Sequence, residues 1–444
     1  MGAWLAGKKA IVISMLCLIA AWTNITLGKD GLARQEQERV TSLQQALTLE
    51  AFVQLAFQEN LGLQIEKHQF RSERATESSN FRKMLPSFSI TTGGKETFKD
   101  TSEPTNETTS YASSLVMTQP IYQPSLMASW NKSKLNLNKA DLNLDRVSQS
   151  LLFEVKQAWY NLLLVRVLYE EAVNSLERLK QHRQNAKAFY KSGKIWRNDL
   201  LQAEVRVSRG EQDVFAAKNQ LVLAKSKVNL ILNRDIYGPL NPLGKLEYMN
   251  FDGELQQYLD LAKSNRLEIK QGIIDIKMAG KDKEIAKAKS KPSVELKLSS
   301  SFSSLDLDYE DHNQQTTAAL NLRWNFWQFG QTNREVHAAN AKLRAKRLQL
   351  EQTKADITLE VQSAFLAVKE SQYSLKVSEQ ALQQSLENFR VSQIRYKEQL
   401  GSSNDVLDAQ DLLTQTRTDR FSALSRYLTA LAQLDLAVGR ATSF

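Results

Sequence analysis

The sequence predicts a mainly α-helical protein with β-hairpins, built from one unit of long helices and paired strands that occurs twice. Three observations predict this fold class. Only 7 Pro and 17 Gly interrupt the 444 residues, fewer than a compact enzyme with many turns needs. Apolar residues recur every three or four positions over long stretches, which is typical of helices that pack along their length. Similar sequence blocks also return at a constant spacing.

Composition excludes several classes of protein. Charged residues make up 24% and hydrophobic residues 42% of the chain, which fits neither a disordered chain nor a bundle of membrane-spanning helices. The net charge of +9 is spread along the length, without the basic block of a nucleic-acid binder. The four histidines are scattered and no phosphate-binding loop is present. We therefore predict no enzyme activity, no metal and no cofactor.

The first residues have the pattern of a signal peptide. A basic pair, Lys8-Lys9, precedes the apolar run 10–21, and small residues follow it, so we predict a signal peptide over 1–28. A retained membrane anchor is the alternative, although the run is short for a spanning helix. The single cysteine, Cys17, lies within the run. The mature chain is thus predicted to be exported and free of cysteine.

The repeat spacing is 206 residues. Pro86 and Pro292 stand this far apart, in similar surroundings. The same offset relates three further pairs of blocks: 153–163 with 359–369, 189–205 with 395–411, and 230–234 with 436–440. The predicted organisation after the signal peptide is an N-terminal segment 29–41, a first repeat 42–234, a linker 235–253, a second repeat 254–440 and a tail 441–444.

Each repeat is predicted to open with a helix, over 42–85 and 254–291, which ends before its proline. A strand hairpin follows, over 87–120 in the first repeat and 293–327 in the second. The second hairpin alternates with period two, so one face is apolar and the other polar. Its returning strand places these side chains on the apolar face: Ala318, Leu320, Leu322, Trp324 and Phe326.

A very long helix is predicted next, over 124–190 in the first repeat. At 1.5 Å per residue it spans about 100 Å. A short tip then leads into a returning helix of roughly 36 residues, about 54 Å long. The returning helix and the opening helix, placed end to end, match the long helix in length. Each repeat can therefore form two parallel struts with a strand hairpin at one end.

The predicted strands cannot form a membrane barrel within one chain. The smallest closed barrels have about eight strands, and open edges do not persist in lipid. Either the strands pack against a soluble part of the protein, or strands from several chains form one barrel. Three chains, each with four strands, would form a closed twelve-stranded barrel with an aqueous lumen above twelve helical struts.

Both helix tips and the turns into the long helices resemble the TolC family of outer-membrane efflux channels. The motifs are Gln-Pro-Ile-Tyr at 119–122, Asn-Phe-Trp-Gln-Phe-Gly at 325–330, and the two tips at 190–204 and 396–410. The resemblance covers the mature chain and implies a homotrimer with a barrel in the outer membrane and a helical tunnel in the periplasm. It implies passive conduction in a tripartite efflux or type I secretion system, with a periplasmic adaptor and an inner-membrane pump or ABC exporter as partners.

Acidic residues at the tips are implied by the resemblance to form a pore constriction. They are Asp405 and Asp408 in the second repeat, matched by Asp199 and Gln202 in the first. Threefold symmetry would turn each inward carboxylate into a ring that favours cations. The alternative is that the acids only start the returning helix, where negative charge is favourable.

The tips themselves are the predicted contact surface for the adaptor. They comprise Gly193, Lys194, Trp196, Arg197, Gly401, Ser402, Ser403 and Asn404. Trp196 could instead staple its pair of helices together. The family glycine three residues after the tip tyrosine is present as Gly193, but Gln399 replaces it in the second repeat. The next glycine there is Gly401, two residues later, so the sequence leaves the geometry of the second turn and the fit of an adaptor to it open.

Aromatic residues Trp324, Phe326 and Trp327 lie where the last strand meets the helix. They are predicted to form an aromatic belt at the membrane interface, with a packed core as the alternative. The competing hypothesis for the whole chain is a periplasmic coiled-coil adaptor or scaffold without a channel. The sequence leaves open whether the cargo is drugs, metal ions or a secreted polypeptide.

Overall fold

The computed structural model describes residues 47–97, 108–304 and 312–440. The predicted signal peptide, the N-terminal segment 29–41 and the tail 441–444 lie outside these ranges. The elements in this part of the chain are α1 (Leu49–Glu59), α2 (Leu61–Arg82), β1 (Ser87–Thr97), β2 (Thr108–Tyr122), α3 (Pro124–Lys191), α4 (Arg197–Ile231), α5 (Leu255–Asn265), α6 (Leu267–Ala288), β3 (Ser293–Ser304), β4 (His312–Arg323), α7 (Gln331–Lys397) and α8 (Ser403–Ala437).

The two repeats have the same element order, and most helix ends coincide after a shift of 206 residues. Helix α1 corresponds in this way to α5, α2 to α6, and α4 to α8. The long helix α3 has 68 residues and α7 has 67, so each spans about 100 Å. The predicted fold class, a duplicated unit of long helices and strand hairpins, is confirmed.

Each opening helix is divided in two, where the sequence predicted a single helix. The breaks lie at Asn60 and Arg266, which are 206 positions apart and have ψ angles of 123° and 122°. Asn60 Nδ2 donates a hydrogen bond to the Ile231 carbonyl oxygen at 3.0 Å. Arg266 Nη1 donates one to the Ala437 carbonyl oxygen, also at 3.0 Å. At each break a side chain thus hydrogen-bonds the last carbonyl group of the returning helix of its own repeat, which has no partner within that helix.

The main hydrophobic core lies at mid-length of the long helices. There Trp159 of α3 and Tyr427 of α8 are buried together with Phe52 of α1. The linker 235–253 runs across this core, and its Leu240 and Phe251 are buried. The linker therefore joins the two repeats by packing against both.

The four strands form one antiparallel sheet in the order β1–β2–β3–β4. The register places most of the apolar side chains of the four strands on one face. One face carries Phe88, Ile90, Tyr111, Leu115, Met117, Val294, Leu296, Leu298, Phe302, Ala318, Leu320 and Leu322. The opposite face is mainly Ser, Thr, Asn, Gln, Lys and Glu. Ile90 is 78% and Leu320 70% exposed, so nothing in the described part of the chain covers the apolar face.

Strand β4 ends at Arg323, although the sequence predicted a hairpin reaching residue 327. Its partner strand β3 begins at Ser293 directly after Pro292, which has no N–H to extend the ladder. Trp324 instead donates its indole N–H to the Ser290 carbonyl oxygen at 2.9 Å. The first hairpin extends to Tyr122, two residues beyond the predicted end, with a bulge between Pro120 and Tyr122.

The chain forms a single wall, and its lateral order follows from which elements touch. Below the sheet the order is α2–α3–α6–α7, and towards the tips it is α4–α3–α8–α7. The lateral edges of the wall are therefore β1, α2 and α4 on one side and β4 and α7 on the other. Within the described residues, no helix is both long enough and apolar enough to cross a bilayer.

Candidate functional site at the helix tips

The first tip ends α3 with a tight left-handed turn. Gly193 has a φ angle of 72°. Its N–H donates to the Tyr190 carbonyl oxygen at 3.0 Å, and the Lys194 N–H donates to that of Phe189 at 2.9 Å. This pair of bonds is the Schellman motif, which satisfies the last carbonyl groups of a helix.

The second tip has the same turn as the first, with Gln399 in the place of Gly193. Gln399 takes a φ angle of 60°. Its N–H donates to the Tyr396 carbonyl oxygen at 3.1 Å, and the Leu400 N–H donates to that of Arg395 at 2.7 Å. The turn is preserved because glutamine accepts a left-handed conformation, which costs about 1 kcal/mol for a residue with a Cβ atom.

We predict that Gln399→Gly raises the free energy of unfolding by about 0.5–1 kcal/mol, since glycine removes the left-handed strain. Glu398→Gly is the matched control, because Glu398 has a φ angle of −80° and gains nothing from glycine. The check is the midpoint of thermal unfolding, followed by circular dichroism in detergent. A lower midpoint for Gln399→Gly would contradict the strain argument.

Asp405 caps the returning helix α8. Its carboxylate accepts from the Ser402 N–H at 2.9 Å, and the Ser402 hydroxyl accepts from the Asp405 N–H at 3.2 Å. The pKa of Asp405 is lowered mainly by the hydrogen bond from the Ser402 backbone and, next, by the hydrogen bond with the Ser402 side chain. In the first repeat, the Asp199 carboxylate accepts from the backbone N–H of Trp196 at 3.4 Å. Both acids therefore cap the first turns of their helices.

Asp408 differs from Asp405, because its side chain is 74% exposed and takes no part in capping. Its Oδ1 lies 3.4 Å from Nη2 of Arg206 on α4. The same guanidinium contacts Asp411, one turn further along α8. Burial raises the pKa of Asp411, the Arg206 charge lowers it and the Asp408 charge raises it further. One arginine thus joins two acids and links the two returning helices.

Gln202 does not join this group. Its side chain is half-buried, and its Oε1 has no hydrogen-bond partner among the described residues. Arg206 and Asp411 were not predicted from the sequence. The spacing of Asp408 and Asp411 puts both on one side of α8, but nothing in the sequence indicates that an arginine of the other repeat lies beside them.

A buried cluster fixes the second tip to the long helix of the first repeat. His182 Nε2 lies 2.9 Å from the Ser403 hydroxyl, and its ring centroid is 5.2 Å from that of Tyr396. Burial lowers the pKa of His182, which favours the neutral imidazole. Ser403 was predicted to contact an adaptor, but it is buried against His182 and is not available at the surface.

The remaining tip residues are accessible. Trp196 is 84% exposed, so it does not staple its helix pair in this chain. Arg197 is exposed next to it in the chain, and Ser402 and Asn404 are exposed at the second tip. At the other end of the wall, Trp324, Phe326 and Trp327 are also exposed, which excludes a packed core within the single chain as their environment.

Comparison with known proteins identifies the fold. The model of the outer membrane efflux protein family matches residues 52–234 and 258–440. The outer membrane channel CmeC of Campylobacter jejuni superposes with a TM-score of 0.78, 16% identity, and coverage of 88% of this chain and 85% of that one. The MtrE channel of Neisseria gonorrhoeae superposes with a TM-score of 0.75 at 18% identity, covering 88% of this chain and 88% of that one.

VceC of Vibrio cholerae gives a TM-score of 0.75 at 15% identity, covering 88% of this chain and 96% of that one. A search of curated proteins finds no match. The family model matches each repeat separately and together covers most of the sequence, with the boundary between matches at the predicted linker. The resemblance predicted from the sequence is confirmed, and the chain belongs to the outer membrane efflux protein family.

Proposed function

We propose that this chain is one of three identical subunits of a duct that conducts substrates passively across the periplasm and the outer membrane. CmeC and MtrE, which share its fold, are both outer membrane channels. The observation that carries the proposal is the exposed apolar face of the sheet. A soluble adaptor or scaffold, the alternative, would have to cover this face.

The sheet supports a barrel made of several copies. Its apolar face suits lipid and its polar face suits an aqueous lumen. The outer strands β1 and β4 carry unpaired backbone groups along one side, which lipid does not tolerate. Pairing of β4 with β1 of the next copy satisfies them, and three copies close a barrel of twelve strands. The single sheet, with only four strands, is too small to close alone.

The helices support the same arrangement, because both edge helices leave apolar side chains exposed. On α7, Leu359, Leu366 and Tyr373 repeat every seven residues and are more than half exposed. The opposite edge helix α4 exposes Leu201, Val205, Phe215, Leu223 and Leu230. Contact of α7 with α4 of the next copy buries both sets. Such a head-to-tail interface closes into a ring when the rotation fits.

The tips are proposed to serve as gate and docking surface. Trp196, Arg197, Ser402 and Asn404 are exposed there for a periplasmic adaptor, and an inner-membrane pump or ABC exporter supplies the energy. The Arg206 contacts to Asp408 and Asp411 brace the two returning helices in the closed state. Opening separates these helices when the partners engage. The duct itself catalyses no reaction.

We predict that Asp408→Asn lowers the preference for cations and weakens block by multivalent cations, because three inward carboxylates lose their charge together. Asp405→Asn is expected to affect selectivity less and to cost about 1 kcal/mol of stability, because Asp405 caps α8. Asp260→Asn, on α5, serves as the control for a carboxylate away from the tips. Reversal potentials in planar bilayers measure the effect. Unchanged selectivity in Asp408→Asn would remove Asp408 from the constriction.

A further inference from the structure

A cleft of about 600 Å³ lies where the sheet meets the helices. The end of β2, the start of α3 and the end of α6 form its walls. Ile121, Tyr122 and Met127 give it an apolar lining, and all three side chains are exposed. The elements around it, β2, α3 and α6, lie in the middle of the wall and away from its lateral edges. A neighbouring copy joined at those edges therefore leaves the cleft open.

Two lysines give the cleft a positive rim. Lys287 lies in the last turn of α6 and Lys291 just beyond it. Among the described residues neither lysine has an acidic partner, while the nearby basic residues Lys132 and Lys289 are paired with Asp282 and Glu335. The acidic residue in the lining, Glu284, is held by Lys281 at 2.8 Å. The rim thus offers two uncompensated cations beside an apolar surface.

The cleft lies at the end of the apolar face of the sheet. Tyr122 is paired with Val294, which in turn is paired with Leu322, so all three are in register on that face. Trp324, the next residue after β4, is hydrogen-bonded to Ser290 beside Lys291. Aromatic and basic side chains at the end of an apolar band are typical of the depth at which lipid headgroups lie.

We propose that the cleft binds an anionic phospholipid of the surrounding membrane, with its phosphate between Lys287 and Lys291 and an acyl chain against Ile121 and Met127. Lysine binds phosphate by charge and hydrogen bonding. An apolar groove of this size accommodates part of a lipid tail. The inference rests on the proposed function, because it requires the apolar face of the sheet to lie in a membrane.

The test is native mass spectrometry of the full-length chain in detergent, after delipidation and titration with phosphatidylglycerol. The variants are Lys287→Gln/Lys291→Gln and, as a control of equal charge, Lys95→Gln/Lys297→Gln on the polar face of the sheet. We expect the first pair to weaken retention of phosphatidylglycerol about tenfold and the control pair to leave it unchanged. Phosphatidylcholine should be retained less by the unaltered protein.

Equal retention by the Lys287/Lys291 variant would overturn the proposal. So would full competition by inorganic phosphate, which would identify a site for a free anion that needs no lipid tail. The same spectra report the number of chains in each particle. A particle with three chains and no lysine-dependent lipid would refute only the lipid site, whereas a single chain would refute the proposed function itself.

Discussion

Replacing Leu320 and Leu322 together by aspartate is expected to remove the protein from the outer membrane. Both side chains are about two-thirds exposed on the apolar face, opposite Leu296 and Val294 of β3. A charge on the lipid face of a barrel costs up to a few kcal/mol at the centre of the bilayer. Three copies would place six such charges in lipid. The measurement is the amount of trimer in the separated outer-membrane fraction.

The same strand provides the control. Ala319 and Asn321 alternate with the two leucines and lie on the polar face. Ala319→Asp with Asn321→Asp adds equal charge to the proposed lumen and should leave assembly intact. If the leucine variant remained stable and soluble in the periplasm, the lipid-facing role of the sheet would be refuted and the adaptor alternative would gain support.

Arg266→Ala is expected to lower the free energy of unfolding by about 3 kcal/mol. The guanidinium is buried and binds Glu268 at 2.9 Å, Glu360 at 2.9 Å and the Ala437 carbonyl oxygen at 3.0 Å. Burial alone would lower the pKa of Arg266, but the hydrogen bond to Glu360 and the charges of Glu268 and Glu360 outweigh it and raise the pKa. Its removal leaves two acids unpaired and the end of α8 unsatisfied.

The first repeat suggests the matched control for this prediction. Asn60 occupies the equivalent position and donates only to the Ile231 carbonyl oxygen. Arg266→Asn should therefore keep a hydrogen bond to the Ala437 carbonyl oxygen but lose both ion pairs. Its free energy of unfolding should lie between those of the native chain and Arg266→Ala. Thermal unfolding in detergent measures the order of the three midpoints. Equal midpoints for Arg266→Ala and the native chain would show that the buried network contributes nothing.

The sequence predicts the fold well where a pattern is local and periodic. The sheet faces follow from the alternation within 294–302 and 318–322, and the ends of α3 follow from Pro124 and the glycine of the first tip. The repeat adds information, because each half supports the assignment of the other. The divided opening helices were missed because Asn60 and Arg266 bind carbonyl groups 171 residues away.

The tip site is predicted only in part, for the same reason. The capping role of Asp405 involves Ser402, only three residues earlier, so a local sequence pattern can indicate it. The contacts of Arg206 with Asp411 and of His182 with Ser403 join residues 205 and 221 positions apart. No local pattern in a single sequence reports such pairs.

The proposed trimer is tested by counting the chains in the particle extracted from the outer membrane. Light scattering on the purified protein in detergent is expected to give three chains. Replacing Leu359 and Leu366 by glutamate should reduce the particle to single chains, because contact with α4 of the next copy would then bury unpaired charges against apolar side chains. Methionine at both positions should preserve the trimer. A monomer recovered from the soluble periplasmic fraction would contradict the duct.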